Sequence, residues 1–127
     1  MGIKYLTEEW AKSVTEALNA DAGFQQQAAG KTVKLQNVVT GQDGETKYYF
    51  TLQDGQAAVG LGDLDDAEAT LTADYDTSVA LSKNELNATA AYMSGKLKIQ
   101  GDLMKLMQLQ SLVNTIPEAT KDIDVEY

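Results

Sequence analysis

Between Lys31 and Ala73 the chain carries four runs in which apolar residues recur at every second position, and no other feature constrains it so tightly. Val33, Leu35 and Val39 alternate with Lys34, Gln36 and Thr40, and Tyr48, Phe50 and Leu52 with Tyr49, Thr51 and Gln53. Ala57, Val59 and Leu61 make a third set, and Ala69, Leu71 and Ala73 a fourth. A period of two puts one face of a strand against a core and the other in water, the pattern of an antiparallel sheet. Asp43-Gly44 and Asp54-Gly55 sit between the runs as tight-turn signals, because Gly accepts a positive φ. Asp63 to Asp66 marks the next loop. Four strands in a meander are expected.

Outside this stretch the spacing becomes helical. Thr7 is placed to cap a helix whose first turn carries Glu8 and Glu9, where the helix dipole favours anions. Trp10, Val14, Ala17 and Leu18 then form one apolar stripe. Asp21 caps a second short helix carrying Phe24, which Gly30 ends. Beyond the strands, Asp76-Thr77 reads as a helix start with Asn84 as its stop, and Leu86 to Met93 as a further helix closed by Gly95. Lys96 to Gln100 forms a short fifth strand. Gly101 turns the chain, Asp102 caps, and Leu103 to about Val113 is helical, limited by Pro117. The last ten residues look polar and loosely held. No repeat or linker divides the 127 residues, so one α+β domain is expected, with its core over about 5–115 and a polar tail at 116–127.

Composition narrows the chemistry. The chain contains no Cys, His or Arg. That removes thiolate nucleophiles and metal sites, the usual general base near neutral pH, and the guanidinium fork that clamps carboxylates and phosphates. Gly60-Leu61-Gly62 breaks off before a dinucleotide fingerprint, and no phosphate loop or nucleophile elbow occurs. The acidic run Asp63 to Glu68 fails calcium-loop spacing, since its sixth residue is Glu68 and its twelfth Asp74, and a solvated turn accounts for it. Neither an enzyme nor a metal or organic cofactor is expected. A net charge of −9, from 19 acidic residues against 10 Lys, argues against nucleic acid as a partner. No apolar run reaches the roughly 20 residues of a membrane span, and no signal-peptide core occurs, so stable membrane insertion is not expected and a cytoplasmic location is.

The helix from Leu103 is greasier than one core face requires. Leu103, Met104, Leu106, Met107, Leu109, Leu112 and Val113 include neighbours about 100° apart around the axis. Such a helix is buried on several sides, walls an apolar pocket, or meets a second molecule. Lys96, Lys98 and Lys105 are the only basic concentration. They either protect an edge strand or meet an anionic headgroup.

The segment Gly95-Lys96-Leu97-Lys98-Ile99-Gln100-Gly101-Asp102, continuing to Leu109-Gln110, resembles the hallmark of the sterol carrier protein 2 family. Ala67 to Thr72 looks like the family's fourth strand and Asp74 to Met93 like its two connecting helices, so the resemblance spans about residues 5–115. Asn84 departs from the Gly common there and Ala88 from a frequent Pro. The resemblance implies a five-stranded, mostly antiparallel sheet with helices on one face and an apolar tunnel between them. It implies a carrier of fatty acid, fatty acyl-coenzyme A, phospholipid or sterol that needs no metal or catalytic residue. Carried over by position, the tunnel-lining candidates are Phe50, Val59, Leu71, Val79, Leu86, Tyr92, Met93, Leu97, Ile99, Leu103, Leu106, Met107 and Gln110, with Met104 on the same helix counted among them. Lys96, Lys98 and Lys105 are the headgroup candidates. The alternative reading is an interaction or homodimerisation module whose cavity is collapsed.

Overall fold

In the computed structural model, residues 2–127 are described except Gln42, Asp43, Asn84, Asn87, Leu109 and Asn114, as are their side chains except those of Ala88, Gln110 and Val113. The turn residue Asp43 and the helix stop Asn84 thus lie outside the described residues. The chain begins with β1 (Ile3–Lys4), α1 (Glu8–Ala20) and α2 (Ala22–Ala28). The sheet strands β2 (Val33–Gly41), β3 (Gly44–Gln53), β4 (Gln56–Leu61) and β5 (Ala69–Asp74) follow. Next come α3 (Tyr75–Ser82), α4 (Ala88–Met93), β6 (Leu97–Gly101), α5 (Leu103–Gln108), α6 (Gln110–Val113), α7 (Ile116–Ala119) and β7 (Val125–Glu126).

Local chemistry fixes the helix starts. The Thr7 hydroxyl accepts from the Trp10 amide at 3.3 Å, and Asp21 from Phe24 at 2.8 Å. Asp74 rather than Asp76 caps α3, accepting from Thr77 N at 2.8 Å, so that helix begins two residues earlier than the sequence pattern suggests. The Thr77 bonds favour the carboxylate and hold Asp74 below the ordinary range for its carboxyl. Pro117 falls in the first turn of α7, where its missing N–H costs nothing.

The main sheet has the order β4-β3-β2-β5-β6. Its pairs are antiparallel except β2 with β5, which run parallel. The chain therefore makes a three-stranded meander and not the expected four-stranded one. Residues 62–68 are too many for a tight hairpin, and they carry the chain across the sheet to the far side of β2. Gln36 holds that crossing: its Nε2 donates to the carbonyls of Tyr48 at 3.0 Å and Gly62 at 3.1 Å, and its Oε1 accepts from Leu64 N. This explains a buried glutamine at a position where the alternation calls for a wet residue.

Two turns require glycine. Asp54 and Gly55 have φ of 49° and 86°, the pair of positive values of a type I′ hairpin. Gly101 has φ of 113° and lies under the Glu68–Ala69 backbone, where an added Cβ would stand 2.8 Å from Ala69 Cα.

All helices needed for the core lie on one face of the sheet. Trp10, Val14 and Leu18 of α1 and Phe24 of α2 pack with Val33, Leu35, Phe50 and Leu52 of the sheet. Phe24 and Phe50 meet edge to face with ring centroids 6.5 Å apart. Each such fully buried side chain contributes about 1.5–3 kcal/mol. A smaller cluster joins Ala91 of α4 to Ala73 and Leu97 of the sheet.

The tail is not loosely held. Ile116, Ala119, Ile123 and Val125 pack on the main core. β7 pairs in parallel with β1, with Ile3 N donating to Asp124 O at 2.7 Å and Tyr5 N to Glu126 O at 3.0 Å. Its polar composition misled because the apolar residues it buries are few and irregularly spaced.

Candidate functional site

The inner face of the sheet is laid out by register. Ile99, Leu71, Asn37, Tyr48 and Leu61 lie side by side across the five strands, and Ala69, Leu35, Phe50 and Val59 form the next row. Over these rows lies a cavity of about 640 Å³. Its floor is Leu35, Phe50, Val59, Leu71 and Leu97. Trp10, Val14 and Leu18 of α1 wall one side, and Ser78, Leu81 and Ser82 of α3, with Leu86, another. Residues of 116–127 complete it, among them Ile116, Ile123, Val125 and Tyr127. Its size lies within the range of small-molecule sites, and its lining is mainly apolar.

One part of this cavity is polar without being charged. The Tyr5 hydroxyl is hydrogen-bonded to Ser78 Oγ and accepts from Ser82 Oγ at 3.3 Å. Aromatic rings enclose the cluster: Trp10 meets Tyr5 at 5.1 Å and Tyr48 at 5.2 Å between centroids, both edge to face. Burial disfavours the phenolate and pushes both hydroxyls above their ordinary value of 10.0; for Tyr48 the neighbouring Tyr5 adds to it. These groups stay neutral hydroxyls throughout the physiological range. Among the described residues no group of three or more His, Cys, Asp or Glu could hold a metal ion.

The sequence candidates separate into three sets. Phe50, Val59, Leu71, Leu86 and Leu97 line the cavity. Val79 and Leu106 pack against the main core, and Ile99 against the smaller cluster. Tyr92, Met93, Leu103, Met104 and Met107 are exposed, with Met93 at 80%, Met104 at 69% and Met107 at 65%. The Gln110 side chain lies outside the described residues. No residue of α5 is buried, so its excess apolar surface faces outward rather than into the cavity.

The basic candidates also lie apart from the cavity lining. Lys98 pairs across from Thr72 on the outer face of the sheet, Lys96 is exposed, and Lys105 makes a 3.6 Å ion pair with Glu68. The lysines that do line it are Lys83 and Lys121. Lys83 sits 5.1 Å from the centroid of the Tyr127 ring, and Lys121 pairs with Glu118 at 2.7 Å. Sequence reasoning placed the α1 stripe in the core but not at the site, and missed the tail. The recurrence of Trp10, Val14 and Leu18 at four-residue steps was the available signal for α1.

Comparison with known proteins agrees with this architecture. Mus musculus stomatin-like protein 1 is 35% identical over 82 residues, covering 63% of this chain and 20% of that protein. Bos taurus hydroxysteroid dehydrogenase-like protein 2 is 31% identical over 108 residues, covering 84% of this chain and 24% of that one. The chain thus spans about a quarter or less of these curated relatives. A crystal structure of sterol carrier protein 2 superposes with a TM-score of 0.79 at 19% identity, over 94% of this chain and 98% of that one. A sequence model of the SCP-2 sterol transfer family matches residues 12–114, and the chain belongs to that family.

Proposed function

We propose that this domain binds a lipid in the cavity between sheet, α1, α3 and the tail, and carries it without chemical change. The observation that carries this reading is an apolar-lined space of about 640 Å³ in a chain without Cys, His or Arg. A fatty acid, a fatty acyl-coenzyme A, a phospholipid or a sterol each presents a body of suitable chemistry. A 16-carbon chain gains about 0.8 kcal/mol per buried CH₂, or roughly 12 kcal/mol gross, and several kcal/mol of that is offset by lost freedom on binding. Micromolar affinity or better follows from burial alone.

Trp10, the single tryptophan, lines the cavity and reports its filling. Delipidated protein titrated with a fluorescent fatty acid should show saturable energy transfer from Trp10. Palmitate, palmitoyl-coenzyme A or a sterol should reverse it. Enlarging the cavity-lining residue Ala73→Phe, which leaves Trp10 the single tryptophan, should weaken binding at least tenfold while far-UV circular dichroism stays unchanged. No saturation with any of these lipids sinks the carrier reading. The outward-facing Met93, Met104 and Met107 would then favour a surface for a second copy of the chain, seen as a concentration-dependent mass in light scattering.

A further inference from the structure

We infer that the pairing of β1 with β7 is a clasp, and that ligand enters and leaves the cavity when residues 120–127 swing clear of it. This assignment rests on the carrier reading and names the wall that moves. The walls differ in how firmly they are held. The sheet beneath the cavity is paired from strand to strand. Helix α1 buries Trp10, Val14 and Leu18 and is bonded to β4 through Thr15 and Asn19. Helix α3 buries Thr77 and Ser78, with Ser78 bonded to the Tyr5 hydroxyl. The tail gives Ile116, Ile123, Val125 and Tyr127 to the lining and packs on the core, yet every residue of 115–127 is half-buried or exposed.

The clasp itself is short. Strands β1 and β7 have two residues each, pairing Ile3 with Val125 and Lys4 with Glu126, and a two-stranded ladder of that length is marginal in water. Beyond it the Tyr127 ring rests against Tyr5, centroids 4.9 Å apart. Gly2 permits the close approach: a Cβ there would stand 2.8 Å from Glu126 Cγ and 3.0 Å from Asp124 O. A segment with few buried contacts and solvent-facing backbone bonds opens at a small fraction of the free energy of global unfolding. Opening here takes Ile123, Val125 and Tyr127 off the cavity and leaves the sheet, α1 and α3 in place. Ligand exchange then needs a local motion and no unfolding of the core.

A chain without Cys allows the clasp to be locked by a single engineered disulfide. Paired strands lie about 4.8 Å apart, within the Cα separation a disulfide spans, so Ile3→Cys with Val125→Cys joins direct partners. The reduced form of the same double variant is its control. The probe is cis-parinarate, whose release into excess palmitate is followed by loss of energy transfer from Trp10. The oxidised form should release it at least about tenfold more slowly than the reduced form and take it up correspondingly slowly, with the dissociation constant within about threefold. A gate alters both rates together, whereas a side chain that only touches ligand alters affinity. Gly2→Val, which crowds the clasp, should release the probe about fivefold faster than wild type with far-UV circular dichroism unchanged. Equal release from oxidised and reduced protein, or wild-type release from Gly2→Val, overturns the gate and leaves the carrier reading intact. Failure of wild-type protein to take up cis-parinarate removes both.

Discussion

Tyr5 and Tyr48 are two residues at which the fold itself responds to alkaline pH. Burial raises both hydroxyls above 10.0, with the Ser78 and Ser82 bonds working against that rise at Tyr5. In the unfolded chain the same groups lose their protons near pH 10, so above that value the unfolded state binds fewer protons than the folded one. Stability is therefore flat below pH 10 on this account and falls as pH rises beyond it, by about 1.4 kcal/mol per pH unit for Tyr48, with Tyr5 acting in the same direction. Urea unfolding at about pH 9 and 11 should show a loss of about 1.4 kcal/mol or more, and Tyr48→Phe should remove about 1.4 kcal/mol of it. A Tyr48→Phe variant with the full alkaline loss would mean that this hydroxyl already ionises freely in the folded protein.

At the scale of elements, α1 does more than bury a stripe. β4 is an edge strand, and its outward backbone groups are taken up by α1 side chains one turn apart. Thr15 Oγ1 accepts from Val59 N at 2.8 Å, while Asn19 accepts from Ala57 N and donates to Ala57 O, each at 2.9 Å. The helix thus masks an edge that would otherwise pair with a second sheet. Thr15→Ala with Asn19→Ala should cost about 1–3 kcal/mol in urea unfolding and increase thioflavin-reactive aggregation on mild heating. Aggregation no faster than wild type would show that α1 packing alone covers the edge. None of these bonds was legible in the sequence, where Thr15 and Asn19 are simply polar positions on an amphipathic helix. What was legible is local: the alternation of β2 to β5, the caps Thr7, Asp21 and Asp102, the Asp54-Gly55 turn and the Trp10–Val14–Leu18 stripe. What was not is set by distant partners. The parallel β2–β5 pairing depends on a loop crossing a sheet, the tail on a strand more than a hundred residues away, and α5 on which side of a uniformly greasy helix is left open. Leu and Met have the same hydrophobicity whether they line a cavity or face water, so the exposed Met104 and the buried Leu112 look alike until packing separates them.

For the whole molecule the decisive quantity is its charge. At −9, spread over a domain whose described helices include none long and apolar enough to cross a membrane, the protein meets an anionic bilayer as a like charge. Exposed Met93, Met104 and Met107 supply an opposing, short-range attraction to any apolar surface. The two act over different distances. Repulsion is felt across a Debye length, about 30 Å at 0.01 M salt and 8 Å at 0.15 M, whereas apolar contact needs touch. Raising salt over that interval should therefore let the greasy face reach an anionic vesicle before repulsion turns it back. Transfer of a fluorescent fatty acid from the protein to vesicles containing phosphatidylserine should accelerate several-fold, and transfer to purely zwitterionic vesicles should hardly change. Salt that slows transfer to the anionic vesicles would instead mean that a local basic patch docks the protein, with Lys83 and Lys121 beside the cavity as the residues to substitute.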